Sequence, residues 1–236
     1  FTDKNKWIEA VEEKNIPLKL MDHILTYQRS ALKNSVEACE QHYTDGSCPI
    51  VKNIPWADKS GYPEELLTVN TYRYSWHALH HVSKMILFGL YSENQQPVLD
   101  ARDFTNSWME KSWYEIEVDK KFMWYDHGVA ERQFSLIMMY YQALNLAKDI
   151  PFAKSIKKII LLQGRLLESG AFYASHQNQR YHNHAMFQDV ALIVTALSFP
   201  DAICSKRWLR KGMDRLEDQI ANLIVQDKNF SIFVQS

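Results

Sequence analysis

The sequence predicts an all-α protein, and three observations lead there. Glycine is scarce, at 7 of 236 residues. Apolar residues recur at three- and four-residue spacing through most of the chain after residue 70, as one face of a helix requires. Prolines fall between these periodic segments and not inside them.

Trp76, Leu79, Ser83, Ile86, Leu87 and Leu90 outline the first amphipathic helix, and Phe134, Ile137, Met138, Tyr141 and Leu144 repeat the pattern. Ile156, Ile159, Ile160 and Leu167 mark a third helix. Leu209, Met213, Leu216, Ile220, Leu223 and Ile224 mark a long one whose opposite face is charged. Ala185 to Leu197 is apolar almost all round and is expected to be enclosed by its neighbours. Pro97, Pro151 and Pro200 lie in polar or turn-like stretches where helices are expected to end, so the layout is helix, short connection, helix, repeated. Phe230 to Val234 follows the turn signal Asp227-Lys228-Asn229 and suits a strand or an extended tail.

Nothing in the composition marks a domain boundary, so one domain over residues 1–236 is expected. Residues 1–70 have the thinnest pattern, and 228–236 read as the start of a connection. Hydrophobic residues at 46% and charged residues at 23% suit a chain that folds in water. The longest apolar stretch, Val190 to Leu197, is too short to cross a bilayer, and Phe1 begins a polar segment without the layout of a signal peptide. A formal net charge of −1 gives no general attraction for nucleic acid, and the basic group Lys206-Arg207 with Arg210-Lys211 suits an exposed helix face. Cys39 and Cys48 flank a turn-rich segment and can pair outside the cytoplasm. Cys204 has no companion motif and reads as a plain thiol.

Two polar constellations stand at helix entrances. The first is Tyr181-His182-Asn183-His184, preceded by His176 to Arg180 and followed by the apolar helix. Asn183 can simply cap that helix, with the histidines as loop residues. Alternatively the cap holds Asn183 and His184 where an amide meets an anion and an imidazole titrates near neutral pH. The second constellation is Trp124-Tyr125-Asp126-His127, with Glu131 and Arg132 one turn on. Glu131 and Arg132 can form an ordinary surface pair, or the group can bind a sugar acid. Trp76, Trp108, Trp113 and Trp124 can offer faces to sugar rings or fill the core. His176, His182 and His184 do not have a compact zinc spacing, and His80-His81 reads as a helix face, so no metal is expected here. No glycine-rich phosphate loop or nucleophile elbow occurs.

At these constellations the sequence resembles the N-terminal helical domain of the heparinase II/III-like superfamily, which includes alginate and oligoalginate lyases. The resemblance runs through Tyr74-Ser75-Trp76, Trp108-Met109, Trp124-Tyr125-Asp126-His127 with Arg132, Asn183-His184, Phe199-Pro200-Asp201 and Trp208, covering the chain from about Tyr72 onward. It implies an incomplete (α/α) toroid of helical hairpins followed by an antiparallel β-sheet domain, and β-elimination at a uronic acid. Asn183 and His184 would then neutralise the sugar carboxylate and stabilise the enolate-like transition state. Trp124, Tyr125, Asp126, His127, Arg132, Arg180, Tyr181 and His182 would bind substrate, with Arg132 and Arg180 gripping its carboxylate. The family's proton-transferring tyrosine follows a segment resembling Asp227 to Ser236 and falls past the given sequence, leaving Tyr181 and Tyr125 as possible substitutes. The implied partner is an acidic polysaccharide or oligosaccharide, the implied compartment is the bacterial periplasm or the outside, and any metal belongs to the further domain.

Two other readings remain open. A glycoside hydrolase needs two carboxylates, for which Asp126, Glu131 and Asp189 are the candidates. A carbohydrate-binding or polysaccharide-assembly module would bind an acidic glycan without turnover.

Overall fold

The fold comes from a computed structural model that describes residues 32–46, 69–110, 119–145, 148–173, 181–226 and 232–234. Among the described residues the helices are α1 (Leu32–Asp45), α2 (Asn70–His77), α3 (His80–Tyr91), α4 (Gln96–Trp108), α5 (Lys120–Met123), α6 (Asp126–Asn145), α7 (Ile150–Glu168), α8 (Asn183–Ser198) and α9 (Ser205–Leu223). Two short strands, β1 (Ile224–Gln226) and β2 (Ile232–Val234), follow and pair antiparallel, with Ile224 opposite Val234. Among the described residues the all-α expectation therefore holds except for this C-terminal ribbon. The strand expected near Phe230 to Val234 is present as β2, while Ile224, expected to close the last helix, opens β1 instead. The turn residues Asp227 to Asn229 lie outside the described residues.

The helix predicted through Trp76 and Leu90 is two helices. Leu79 adopts the left-handed conformation at φ 56° and separates α2 from α3. Its side chain is fully buried, so core packing holds a backbone state that costs about 1–2 kcal/mol for an L-residue. Pro97 and Pro151 sit in the first turns of α4 and α7, not at helix ends, because a missing N–H costs nothing there. Asp149 caps α7 by accepting from the Phe152 amide at 3.1 Å. Pro200 occupies the turn between α8 and α9.

The pairs α3/α4, α6/α7 and α8/α9 each pack together across short connections, which makes them helical hairpins. Two apolar clusters adjoin. One gathers residues from α3, α4, α6 and α7, including Leu79, Ile86, Phe104, Leu136 and Ile156. The other lies among α7, α8 and α9 and includes Leu167, Leu192, Leu197 and Trp208. A buried polar seam ties the helices: Gln133 on α6 donates to the Ile160 carbonyl on α7 at 2.9 Å and to Thr195 Oγ1 on α8 at 2.8 Å.

Helix α8 is an inner helix against α6, α7 and α9, as its composition predicts, but it is not enclosed on every side. Phe187 and Val190 leave one strip open. Close approach of α9 depends on Gly212, where a Cβ would stand 2.7 Å from Ile193 Cγ1 and 3.1 Å from the Asp189 carbonyl oxygen. Cys39 is a free, fully buried core thiol, and burial raises its pKa to about 12. Its expected partner, Cys48, lies outside the described residues. No described helix is long and apolar enough to cross a membrane.

Candidate functional site

The two constellations, 58 positions apart, meet at Asp126. This residue opens α6 and is 1% exposed. Its Oδ1 accepts from the His127 amide at 2.7 Å and faces His184 Nδ1 at 3.2 Å, while Oδ2 accepts from Gln188 Nε2 at 3.3 Å. A buried carboxylate needs such donors, and here they come from the opening two turns of two helices. Helix α8 starts one residue earlier than a cap at Asn183 would place it. The cap is His182, whose extended backbone (φ −158°, ψ 152°) lets its Nδ1 accept from the His184 amide at 3.2 Å. Asn183 is therefore the first helical residue, and it is exposed.

Around this junction the rings form a continuous group. His184 lies 4.5 Å from the rings of both His127 and His182, and 5.5 Å from Tyr125. Phe187 closes one side at 4.5 Å from His127, and Tyr74 stands 5.6 Å from Tyr125 and 5.8 Å from His127. One turn along α6 from His127, Glu131 Oε2 accepts from the Tyr74 hydroxyl and pairs with His80 Nε2 at 2.8 Å. Its Oε1 lies 3.6 Å from His127 Nε2. A pocket of about 370 Å³ opens beside this group, lined by Asn70, Thr71 and Tyr74 of α2, Lys121 and Phe122 of α5, and Tyr125 and His127.

The electrostatics favour neutral imidazoles. Burial lowers the pKa of His127 despite the carboxylates of Glu131 and Asp126. Burial and the neighbouring His127 lower that of His184 against the pull of Asp126. For Glu131, burial opposes ionisation, but the hydrogen bond and charge of His80, the Tyr74 hydroxyl and His127 outweigh it and hold the pKa below the ordinary value. Burial, then the Glu131 bond, raises the phenol of Tyr74, and burial followed by Asp126 raises that of Tyr125. The group thus offers neutral imidazoles as proton acceptors and phenols that keep their protons at neutral pH.

No protein-family model, curated protein or solved structure matches this chain. What the site can do is read from its own geometry.

That geometry brings together Tyr125, Asp126, His127, His182 and His184 of the residues named from sequence. Trp124 and Tyr181 are about two-fifths exposed beside them in the chain, and Arg180 lies outside the described residues. Arg132 does not belong to the group. It is fully buried, donates to the His77 carbonyl at 2.8 Å and the Met123 carbonyl at 3.0 Å, and lies over Trp108 at 5.0 Å. Both carbonyls end helices, so the guanidinium satisfies acceptors left open at the ends of α2 and α5. Neither the carboxylate grip nor the surface pair with Glu131 describes it. Sequence reading missed Tyr74, His80 and Lys121, and of its two readings for Glu131 the pair with Arg132 is not the one formed: Glu131 meets Tyr74 and His80. The four-residue spacing of His127 and Glu131 was a usable signal; nothing local points to Tyr74 or His80, which arrive from other helices. Among the described residues no group of three or more side chains is arranged to hold a metal ion, and His176 lies outside them.

Proposed function

We propose that the chain is the helical part of a lyase that cleaves an acidic polysaccharide by β-elimination, folded as an incomplete toroid of hairpins and completed by a β-sheet domain. The observation that carries this reading is the close, tilted approach of His127 to His184, with ring centroids 4.5 Å apart, at the edge of a pocket that also holds two tyrosines and Lys121. Elimination at a uronic acid needs a base for the proton beside the carboxylate, a donor for the departing glycosidic oxygen, and a group that neutralises the carboxylate. His127 suits the base, since Nε2 faces Glu131 and leaves Nδ1 as the acceptor. As the C–H bond breaks, its electron pair forms the C=C bond, the C–O bond breaks, and the leaving oxygen takes a proton from Tyr125. Lys121 replaces Arg132 as the carboxylate's cation, with the exposed Asn183 amide and His184 at the α8 entrance assisting. Trp124 and Tyr181 supply exposed faces for further sugar rings. The resemblance adds a periplasmic or secreted setting to this reading.

A hydrolase is not favoured. Asp126 is buried and bonded on both oxygens, Glu131 is held by Tyr74 and His80, and Asp189 lies between α8 and α9 with Tyr173. A glycan-binding module without turnover is the second reading. It is favoured by how many polar groups of the site already satisfy one another. The deciding experiment is ultraviolet absorbance of the full-length protein with alginate, heparin, hyaluronan and glucuronan. A rise from unsaturated uronate that vanishes in His184→Ala supports the lyase. Saturable binding to any of these polymers with no rise supports the module.

A further inference from the structure

Glu131 is not in the lining of the pocket, yet it touches two ionisable groups there, Tyr74 and His127, and His80 beside them. Its two oxygens do different work. Oε2 is fixed by the Tyr74 hydroxyl from α2 and His80 Nε2 from α3. That leaves Oε1 directed at His127 Nε2, 3.6 Å away on the same face of α6. His127 Nε2 is buried and makes no hydrogen bond of its own.

We infer that Glu131 is a positioning residue: it selects the His127 tautomer with the proton on Nε2 and so presents Nδ1 to the pocket as the proton acceptor. A carboxylate can only accept, so the ring nitrogen turned toward it is the one that favours carrying hydrogen. At 3.6 Å the contact orients by charge and is too long to count as a hydrogen bond. Bonds from two separate helices stop the carboxylate from rotating away. The other charged or titratable groups around His127 are Tyr74 on α2, Asp126 on its own helix, His80 on α3, His182 and His184 on α8, and Lys121 and Tyr125 in the same pocket lining. None of these hydrogen-bonds to Nε2.

As a catalytic device this rests on the lyase reading, but its test does not. Long-range proton–nitrogen correlations on ¹⁵N-labelled full-length protein at pH 8 distinguish the two imidazole tautomers. Wild-type His127 is expected as the Nε2–H form. In Glu131→Gln the amide can turn its own donor toward the ring, so the Nδ1–H form should become the major one, and the His127 titration midpoint should fall as the carboxylate is lost. Tyr74→Phe keeps Glu131 charged and should leave the tautomer unchanged. Wild-type His127 with its proton on Nδ1 overturns the inference without any variant. An unaltered tautomer and midpoint in Glu131→Gln overturn it as well. Where turnover is present, Glu131→Gln should lower kcat by about tenfold or more with KM little changed. Absence of turnover on every uronan refutes the lyase reading, while the tautomer measurement still decides the role of Glu131.

Discussion

Arg132 shows how a residue's type misleads when its partners are out of view. A guanidinium beside a polar helix entrance suggests a carboxylate grip, yet its acceptors here include main-chain oxygens 55 and 9 positions away in the chain and the Gln163 side-chain oxygen. No local pattern encodes them. Arg132→Ala should strand both carbonyls and open a cavity, costing roughly 3–5 kcal/mol in chemical denaturation. A surface arginine would cost under about 0.5 kcal/mol, so the same measurement separates the two roles. Asp126 was legible as an entrance residue, but its bridging of α6 to α8 was not, because Gln188 lies within what reads as an apolar helix.

Asp189 makes a second prediction at this scale. It is fully buried, and burial raises its pKa from 3.8 to about 7, against the Tyr173 hydrogen bond and the charge of Arg215. Between those values the folded state holds a proton that the unfolded chain releases, so the group's stability contribution is lost as pH rises toward 7. Asp189→Asn keeps an acceptor for the Tyr173 hydroxyl, which lies at 2.8 Å, and removes the ionisation. The variant should therefore match or exceed wild-type stability at pH 8 and lose that advantage at pH 5, as denaturation midpoints at the two pH values would reveal.

At the scale of elements, periodicity located the helices that bury one face, namely α3, α6, α7 and α9. It passed straight over Leu79, because Trp76, Leu79 and Ile86 keep helical spacing across the break. The interruption is a tertiary effect. It frees the His77 carbonyl for Arg132 and sets α2 where Tyr74 reaches Glu131. Helix contacts likewise depend on details that a hydrophobic pattern does not contain. At Gly164 of α7 an added Cβ would meet the Trp208 ring at 2.7 Å, and Trp208 is itself 1% exposed. A rigid, buried ring cannot move aside cheaply. Although alanine favours a helix by about 1 kcal/mol over glycine, overpacking costs roughly 1–3 kcal/mol. Gly164→Ala should therefore lower the unfolding free energy in a denaturant titration; an increase would mean that α7 and α9 have room to separate.

Among the described residues, two buried histidines steepen the acid side of the stability curve. Burial, then the charge of Arg132, lowers His77 to about 3, and burial with the nearby His80 lowers His81 to about 3. Both stay neutral when folded and take protons when unfolded below the ordinary value of 6.5, so their contribution is lost as pH falls. Asp189 acts in the opposite sense. Between pH 4 and 6.5 the unfolded chain gains two protons from these histidines, while the folded state retains one on Asp189. Stability should therefore fall by about 1 kcal/mol per pH unit on acidification, and somewhat faster with His127 and His184 included. Urea midpoints from pH 7 to 5 check the slope; a flat profile would mean that these histidines are accessible.

The arrangement as a whole brings His127, two phenols and a lysine to one pocket, with the His184 ring 4.5 Å from His127. Under the proposed function, His127 takes a proton from an acidic sugar there. The most direct measurement is the ultraviolet time course of the full-length protein on the uronans, with wild type and His127→Ala compared at equal folded concentration. The expected result is an absorbance rise that falls by about 10²–10⁴-fold in the variant, while its unfolding midpoint stays close to wild type. Elimination at an undiminished rate in folded His127→Ala would contradict it.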